Sequence, residues 1–335
     1  MHHISVLALE GCEGGCVTGA IDLLNAANTV WRQQAGKTAR PLFEWSLVTP
    51  DGGPVSTATG FHLSADASLA EIDRPDAMLI GSIHFYDADQ LLAAAHDAAP
   101  TLRPLAAIRD AGCLLAASCT ATVLLAEAGL LDGRRATTSW WIQEAFAYRY
   151  PRVRLLAEDM VVEDRGIVTG GASTAYMSVM LNLIRRFAGD ELALFCAKVL
   201  LVDTNRHSQA PYSYLESGLR VRDPLVTRAQ AWMQTHLREA FTFEQLAEVL
   251  AVSPRTLIRR FRQTTGYNPA EYLTRLRIDE AKRLLERTNL PLEAVAERVG
   301  YRDPSSLRRV FRRTTHLSPS EFRKRFSIAD DPGVI

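Results

Sequence analysis

The C-terminal third of this 335-residue chain repeats itself. Ser253–Leu273 (SPRTLIRRFRQTTGYNPAEYL) and Asp303–Arg323 (DPSSLRRVFRRTTHLSPSEFR) share nine identities in 21 aligned positions. Upstream, Leu246-Ala247-Glu248 answers to Val295-Ala296-Glu297, with one extra residue, Arg302, in the second copy. Such a repeat is one supersecondary unit used twice, and its grammar is helical. Each copy has a short helix with a small residue (Ala247, Ala296), a tight turn, and a second helix opened by an N-cap and a proline, Ser253-Pro254 and Asp303-Pro304. That is a helix-turn-helix, over 243–265 and again over 291–315.

The helical period then sorts the side chains. In the first copy Leu257, Ile258 and Phe261 fall to the core, and Arg255, Thr256, Arg259 and Gln263 share another face. In the second, Leu307, Val310 and Phe311 are core, and Ser305, Ser306, Arg309 and Arg313 face out. Long cationic and small polar side chains suit a major groove, where Arg pairs bidentately with guanine and Ser or Thr contacts several bases. Arg262 and Arg312 flank these faces for phosphates, and Arg308 completes the DNA-binding set. Asn268 to Thr288 reads as one connecting helix about 30 Å long, so the two recognition helices are expected in successive major grooves about 34 Å apart. A single arginine-rich face would be better explained as the solvated side of a bundle. Its repetition, the caps and the local charge favour double-stranded DNA.

That charge is hidden in a net formal charge of zero. Val221 to Phe326 holds 21 Lys and Arg against 12 Asp and Glu, while Met1 to Arg220 holds 17 against 24. A basic C-terminal part follows an acidic N-terminal one, so only the former expects a polyanion partner. With 47% apolar and 23% charged residues, the chain is of globular rather than disordered or fibrous class, and its length fits two domains. Five cysteines without a CxxC pair argue against a secreted disulfide framework and for a reducing cytoplasm. The start lacks the basic n-region of a signal peptide. Leu114 to Leu131 is the one membrane-like stretch, but it carries Ser118, Thr120, Thr122 and Glu127 and reads as a buried strand turning into a helix. The eight histidines have no ligand spacing, and no phosphate or dinucleotide glycine loop is present, so neither metal nor cofactor is expected.

The first two hundred residues alternate β-rich runs (Ile4–Leu9, Phe43–Thr49, Ala77–Gly81, Cys113–Ser118, Ile167–Thr169) with helical patterns. The helices are expected at Thr18–Gln33, Asp87–Ala111, Thr120–Ala128, Trp141–Tyr150 and Ala172–Thr204, the last broken near Gly189. This is α/β: a flavodoxin-like, mostly parallel sheet sandwiched by helices, followed by an all-α domain with two helix-turn-helix units. The expected division is an N-terminal domain over 1–205, a linker over 206–222 where periodicity lapses, a DNA-binding domain over 223–328, and a tail over 329–335.

In the N-terminal domain, Cys119 stands where a buried strand enters a helix. A cysteine at such a corner has a lowered pKa and neighbouring N–H donors, as in nucleophile elbows, although a lone cysteine is more often a buried structural residue. With Cys16, it would also offer a thiol-oxidation input.

Residues 223–326 resemble the AraC/XylS regulator family. The S-x-R-x-L-x-R-x-F run stands as Ser253, Arg255, Leu257, Arg259 and Phe261, and the second signature as Val295-Ala296-Glu297, Gly300-Tyr301, Leu307, Phe311, Ser318-Pro319 and Phe322. The chain departs from that pattern at Leu307, where an aromatic is usual, and at His316, where Gly is common. Residues 4–203 resemble the PfpI-type branch of the glutamine-amidotransferase-like superfamily through the first strand and Gly11, Gly81-Ser82, the Cys119 elbow, residues 126–133, 136–138 and Thr169-Gly170-Gly171. The resemblance implies a catalytic His after the Thr-Thr pair and an acid on the first helix. Here those positions are Ser139 and Cys16, so no enzyme is expected.

The expectation is therefore a cytoplasmic transcriptional regulator whose N-terminal domain senses a small molecule and dimerises, with RNA polymerase as a further partner. Glu13, Cys16, Gly81, Ser82, Cys119, Thr120, Ser139, Trp140, Gly170 and Gly171 are the expected effector contacts. Trp140 offers a face for a cationic ligand, although a tryptophan is more often a core residue. The alternative is a thiol-dependent hydrolase or glyoxalase-like enzyme fused to a DNA-binding module.

Overall fold

The computed structural model describes residues 1–72, 74–215 and 223–329, so 216–222 of the expected linker and 330–335 of the tail lie outside the described residues. It separates into two compact units, Met1–Gln209 and Ala210–Ile335.

In chain order the strands are β1 (His2–Leu7), β2 (Phe43–Thr49), β3 (Val55–Ser56), β4 (His62–Leu63), β5 (Ala67–Ser68), β6 (Ala77–Ile80), β7 (Leu114–Ser118), β8 (Arg135–Ala136), β9 (Arg154–Leu155), β10 (Val161–Asp164) and β11 (Ile167–Gly170). Seven of them form one sheet in the order β10-β11-β7-β6-β1-β2-β5, parallel throughout except for β10 at the edge. Every residue of β6, β7 and β11 is buried, which is why these runs read as continuously apolar rather than alternating: a parallel sheet is covered on both faces. The covering helices are α1 (Gly14–Ala35), α2 (Ala88–Ala98), α3 (Pro104–Asp110), α4 (Ala121–Glu127), α5 (Gln143–Arg149), α6 (Ala175–Ala188) and α7 (Asp190–Val199). α1, α6 and α7 pack on one another, and α2 packs on α4.

The pattern over Asp87–Ala111 is two helices rather than one, because Pro104 opens α3 at its first position and cannot continue α2. The break near Gly189 is present, with that residue at φ +89.

The second unit contains α8 (Pro224–Thr235), α9 (Phe243–Val249), α10 (Pro254–Thr265), α11 (Pro269–Arg287), α12 (Leu292–Arg298), α13 (Pro304–Thr315) and α14 (Pro319–Phe326). α11 is the expected connecting helix, 19 residues or about 29 Å. Its start is fixed by a capping box between Asn268 and Glu271. Two hydrophobic cores share it. Tyr272 and Leu276 belong to the first with Leu246, Leu257 and Phe261, and Ile278, Ala281 and Leu285 to the second with Val295, Leu307 and Phe311. Equivalent ring pairs close the cores edge to face, Phe261 on Tyr272 at 5.1 Å and Phe311 on Phe322 at 5.3 Å.

The segment expected as a linker is anchored over its described part. Gln209 is buried in the first unit. In the second, the buried Lys282 donates from Nζ to the carbonyls of Ala210 (3.1 Å) and Ser213 (2.6 Å), and Leu215 N–H donates to Asp279 at 2.7 Å. Backbone hydrogen bonds to buried side chains leave no trace in apolar periodicity, so the stretch reads as unstructured. Among the described residues no helix is long and apolar enough to cross a membrane.

Candidate DNA interface and the N-terminal elbow

Recognition helices α10 and α13 are built alike. Ser253 Oγ accepts from Thr256 N–H at 3.2 Å and Asp303 accepts from Ser306 N–H at 2.8 Å, each satisfying a donor the first turn leaves open. The cap residues take Thr256 and Ser306 partly out of play: Thr256 hydroxyl bonds Ser253 hydroxyl at 2.9 Å, and both Thr256 and Ser306 are half-buried. The other seven expected DNA-binding residues, Arg255, Arg259, Arg262, Ser305, Arg308, Arg309 and Arg312, are exposed. Arg259 donates to Gln263 Oε1 at 3.3 Å, which steadies its fork.

The structure corrects one residue. Ile258 is not core: it is 45% exposed and lines a groove with Arg255, Arg259, Arg262 and Gln263. Its counterpart in the second copy is the exposed Arg308. Not every arginine in this unit is outward. Arg260 is drawn to Asp223, the N-cap of α8, with Nε donating at 2.8 Å, and Arg277 donates to the carbonyls of Leu237 (3.1 Å) and Glu239 (3.2 Å).

At the other site the strand ends gather the expected residues. Glu13 caps α1 beyond β1, Gly81-Ser82 follow β6, Cys119 follows β7, and Gly170-Gly171 close β11. This is the carboxyl edge of a parallel sheet, where open α/β folds place ligands. Cys119 has φ +57, the strained corner of an elbow. Yet eight of the ten expected effector contacts are buried, and only Glu13 and Trp140 are partly accessible.

The chemistry of the corner also differs from expectation. Cys119 is 2% exposed, and burial pushes its thiol pKa up rather than down. Ser139 hydroxyl donates to Sγ at 3.1 Å and, with the N–H groups of Thr120 and Ser173, pulls the other way. The Cys119 N–H is not free for a ligand, since it donates to Gly171 O at 2.7 Å. Burial raises Cys16 likewise. An acid does stand nearby, against expectation: Glu13 accepts from Ser82 hydroxyl at 2.9 Å, and its charge disfavours thiolate at both cysteines. Thr120 hydroxyl is spent on Ile83, donating to its carbonyl at 2.7 Å and accepting its N–H at 2.9 Å. The glycines are packed against protein: a Cβ on Gly81 would lie 3.1 Å from Leu7 O, on Gly170 2.7 Å from Val179, and on Gly171 2.8 Å from Gln209.

Gln209 was invisible in the sequence. Its amide donates to Thr138 O (2.7 Å) and Ala157 O (2.8 Å), and its Oε1 accepts from Trp140 and Ala172 N–H, both at 3.3 Å. It braces the loop carrying Ser139 and Trp140 against the strand end carrying Gly171.

A helix-turn-helix domain model matches residues 246–325, and the DJ-1/PfpI family model matches residues 35–186. The chain is 30% identical over 266 residues to the HTH-type transcriptional regulator CdhR of Pseudomonas aeruginosa, covering 79% of this chain and 76% of CdhR. To the HTH-type transcriptional regulator GbdR of the same species it is 27% identical over 303 residues, covering 89% and 77%. A crystal structure of an AraC family transcriptional regulator from Pseudomonas putida aligns with 60% of this chain and 100% of its own, at 22% identity and a TM-score of 0.45.

Proposed function

Because the chain belongs to the AraC-type helix-turn-helix transcriptional regulators that carry a DJ-1/PfpI-type domain, we propose that α10 and α13 read successive major grooves of one DNA site. It is a DNA-binding transcriptional regulator. What supports the proposal is the exposed, duplicated cationic face on two helices capped at equivalent positions. Arg259 and Arg309 hold equivalent positions one turn into the helices, and a guanidinium there pairs with guanine O6 and N7. Arg262 and Arg312, a turn further on, neutralise phosphates. Ile258 adds an apolar contact of the kind that recognises a thymine methyl. Arg308 replaces it in α13, so the two grooves are read by different chemistry.

The N-terminal unit, on this reading, binds a small effector and self-associates, and the protein works in the cytoplasm. An effector shifts DNA occupancy only by preferring one arrangement of the protein over another. The elbow is read as non-catalytic: a hydroxyl at position 139 is no base at neutral pH, and the thiol is held protonated. Amide or aldehyde turnover abolished by Cys119→Ala would overturn that part.

The DNA reading is tested by titrating operator fragments with Arg259→Ala and Arg309→Ala. Each loses about 1–3 kcal/mol of binding and relaxes preference at one base pair. Unchanged affinity and selectivity in both variants defeat the assignment.

A further inference from the structure

Helix α7 (Asp190–Val199) is apolar on both of its sides. Leu192, Ala193, Cys196 and Ala197 are buried, and the helix packs on α1 and α6. Successive steps of about 100° place Glu191, Leu194, Phe195 and Lys198 diametrically opposite that buried side. All four are exposed. Leu194 (47%) and Phe195 (43%) sit at the middle of this outer face, where a solvated helix carries polar residues. The apolar surface continues through Val199, 55% exposed, to Leu201, 92% exposed in left-handed backbone (φ +53) that a branched side chain rarely adopts. Exposed apolar residues are ordinary when scattered singly, whereas a contiguous run rimmed by charge marks an interaction site.

The charges say what kind of surface completes this face. Glu191 precedes the Leu194-Phe195 pair by three residues and Lys198 follows it by three. Their places in the first and last turns suit the helix dipole, which does not account for the leucine and phenylalanine between them. Along the axis they stand about 10 Å apart, too far to pair with each other. Asp190 beside them reaches Arg185 at 3.9 Å, but among the described residues Glu191 and Lys198 have no ion-pair partner. Such a face is complementary to itself reversed. Turned end for end about a twofold axis through its midpoint, it sets Glu191 of each copy against Lys198 of the other, and the apolar pair against its own image.

We propose that α7 is the surface through which two copies of this chain associate, packed antiparallel about a twofold axis between Leu194 and Phe195; this rests on the self-association assigned above to the N-terminal unit. Leu194, Phe195, Val199 and Leu201 form the apolar centre and the two Glu191–Lys198 pairs the rim, as in specific protein interfaces generally. A standard interface takes about 800 Å² from each partner, more than a ten-residue helix offers, so the run through Leu201 belongs to it.

The test is sedimentation of the full chain, without DNA and at low ionic strength, over a range of concentrations. The wild type is expected to dimerise. Phe195→Glu buries a carboxylate in the apolar centre and weakens the dimer by about tenfold or more, while thermal unfolding of the dilute protein is unchanged. Glu191→Lys and Lys198→Glu each set like charges against one another twice, and each also weakens it by about tenfold or more. An equimolar mixture of these two variants associates again, because one carries cations at both ends of the face and the other carries acids. A dimer unmoved by Phe195→Glu or by both reversals, or a mixture no stronger than its components, overturns the placement on α7 and leaves self-association standing. A wild type that stays monomeric throughout overturns self-association and this inference with it.

Discussion

Ile258 shows how a single residue escapes pattern reading. It follows Leu257, and one residue is 100° of helix rotation, so an apolar pair at i and i+1 straddles the edge of the buried stripe. The sequence assigns both to the core. The structure buries Leu257 completely and leaves Ile258 45% exposed. The two substitutions therefore separate cleanly in urea denaturation: Leu257→Ala costs about 2–5 kcal/mol, while Ile258→Gln stays within about 0.5 kcal/mol and acts on DNA selectivity instead. Cys119 errs in the opposite sense. Its corner conformation was legible from a strand running into a helix, but its reactivity depends on desolvation, which is set by residues far off in sequence. Gln209 carried no signal at all, because an amide that brackets four backbone groups looks like any polar residue in a loop.

At the level of elements, the duplicated unit is legible because caps, prolines and apolar spacing agree. The short β5, the edge strand β10 and the split between α2 and α3 were not, since two to four residues show no period and a proline interrupts a helix without erasing its pattern. The repeat also exposes a local conflict. The turn before each recognition helix passes through left-handed backbone, at Ala251 (φ +56) in the first copy and Gly300 (φ +77) in the second. A Cβ on Gly300 would lie 2.7 Å from Leu237 O. Thermal or chemical unfolding should show Gly300→Ala destabilised by more than about 1 kcal/mol, and Ala251→Gly stabilised by about 1 kcal/mol as the strain is relieved. The same logic explains a departure from the family pattern: His316 caps α13 at φ +59 where Gly266 caps α10 at φ +76. A histidine tolerates that region better than most residues.

For the molecule as a whole, the charge changes sign between Met1–Arg220 and Val221–Phe326, whereas the compact units divide at Gln209 and Ala210, because residues 210–215 are held by the second unit. Lys282 and Asp279 explain the difference. Burial drives each toward its neutral form while their mutual attraction, at 3.6 Å, opposes this. Their remaining hydrogen-bonding capacity is met by the backbone of 210–215, a stretch whose own side chains predict nothing of the kind. α11 has a thermodynamic corollary. Because this one rod supplies apolar side chains to both cores, neither half of the DNA-binding unit can melt without stripping its neighbour of a wall. The two halves are bound to unfold as one cooperative block, with a single heat-capacity peak in which calorimetric and van't Hoff enthalpies coincide, and damage to either copy of the repeat is felt by both.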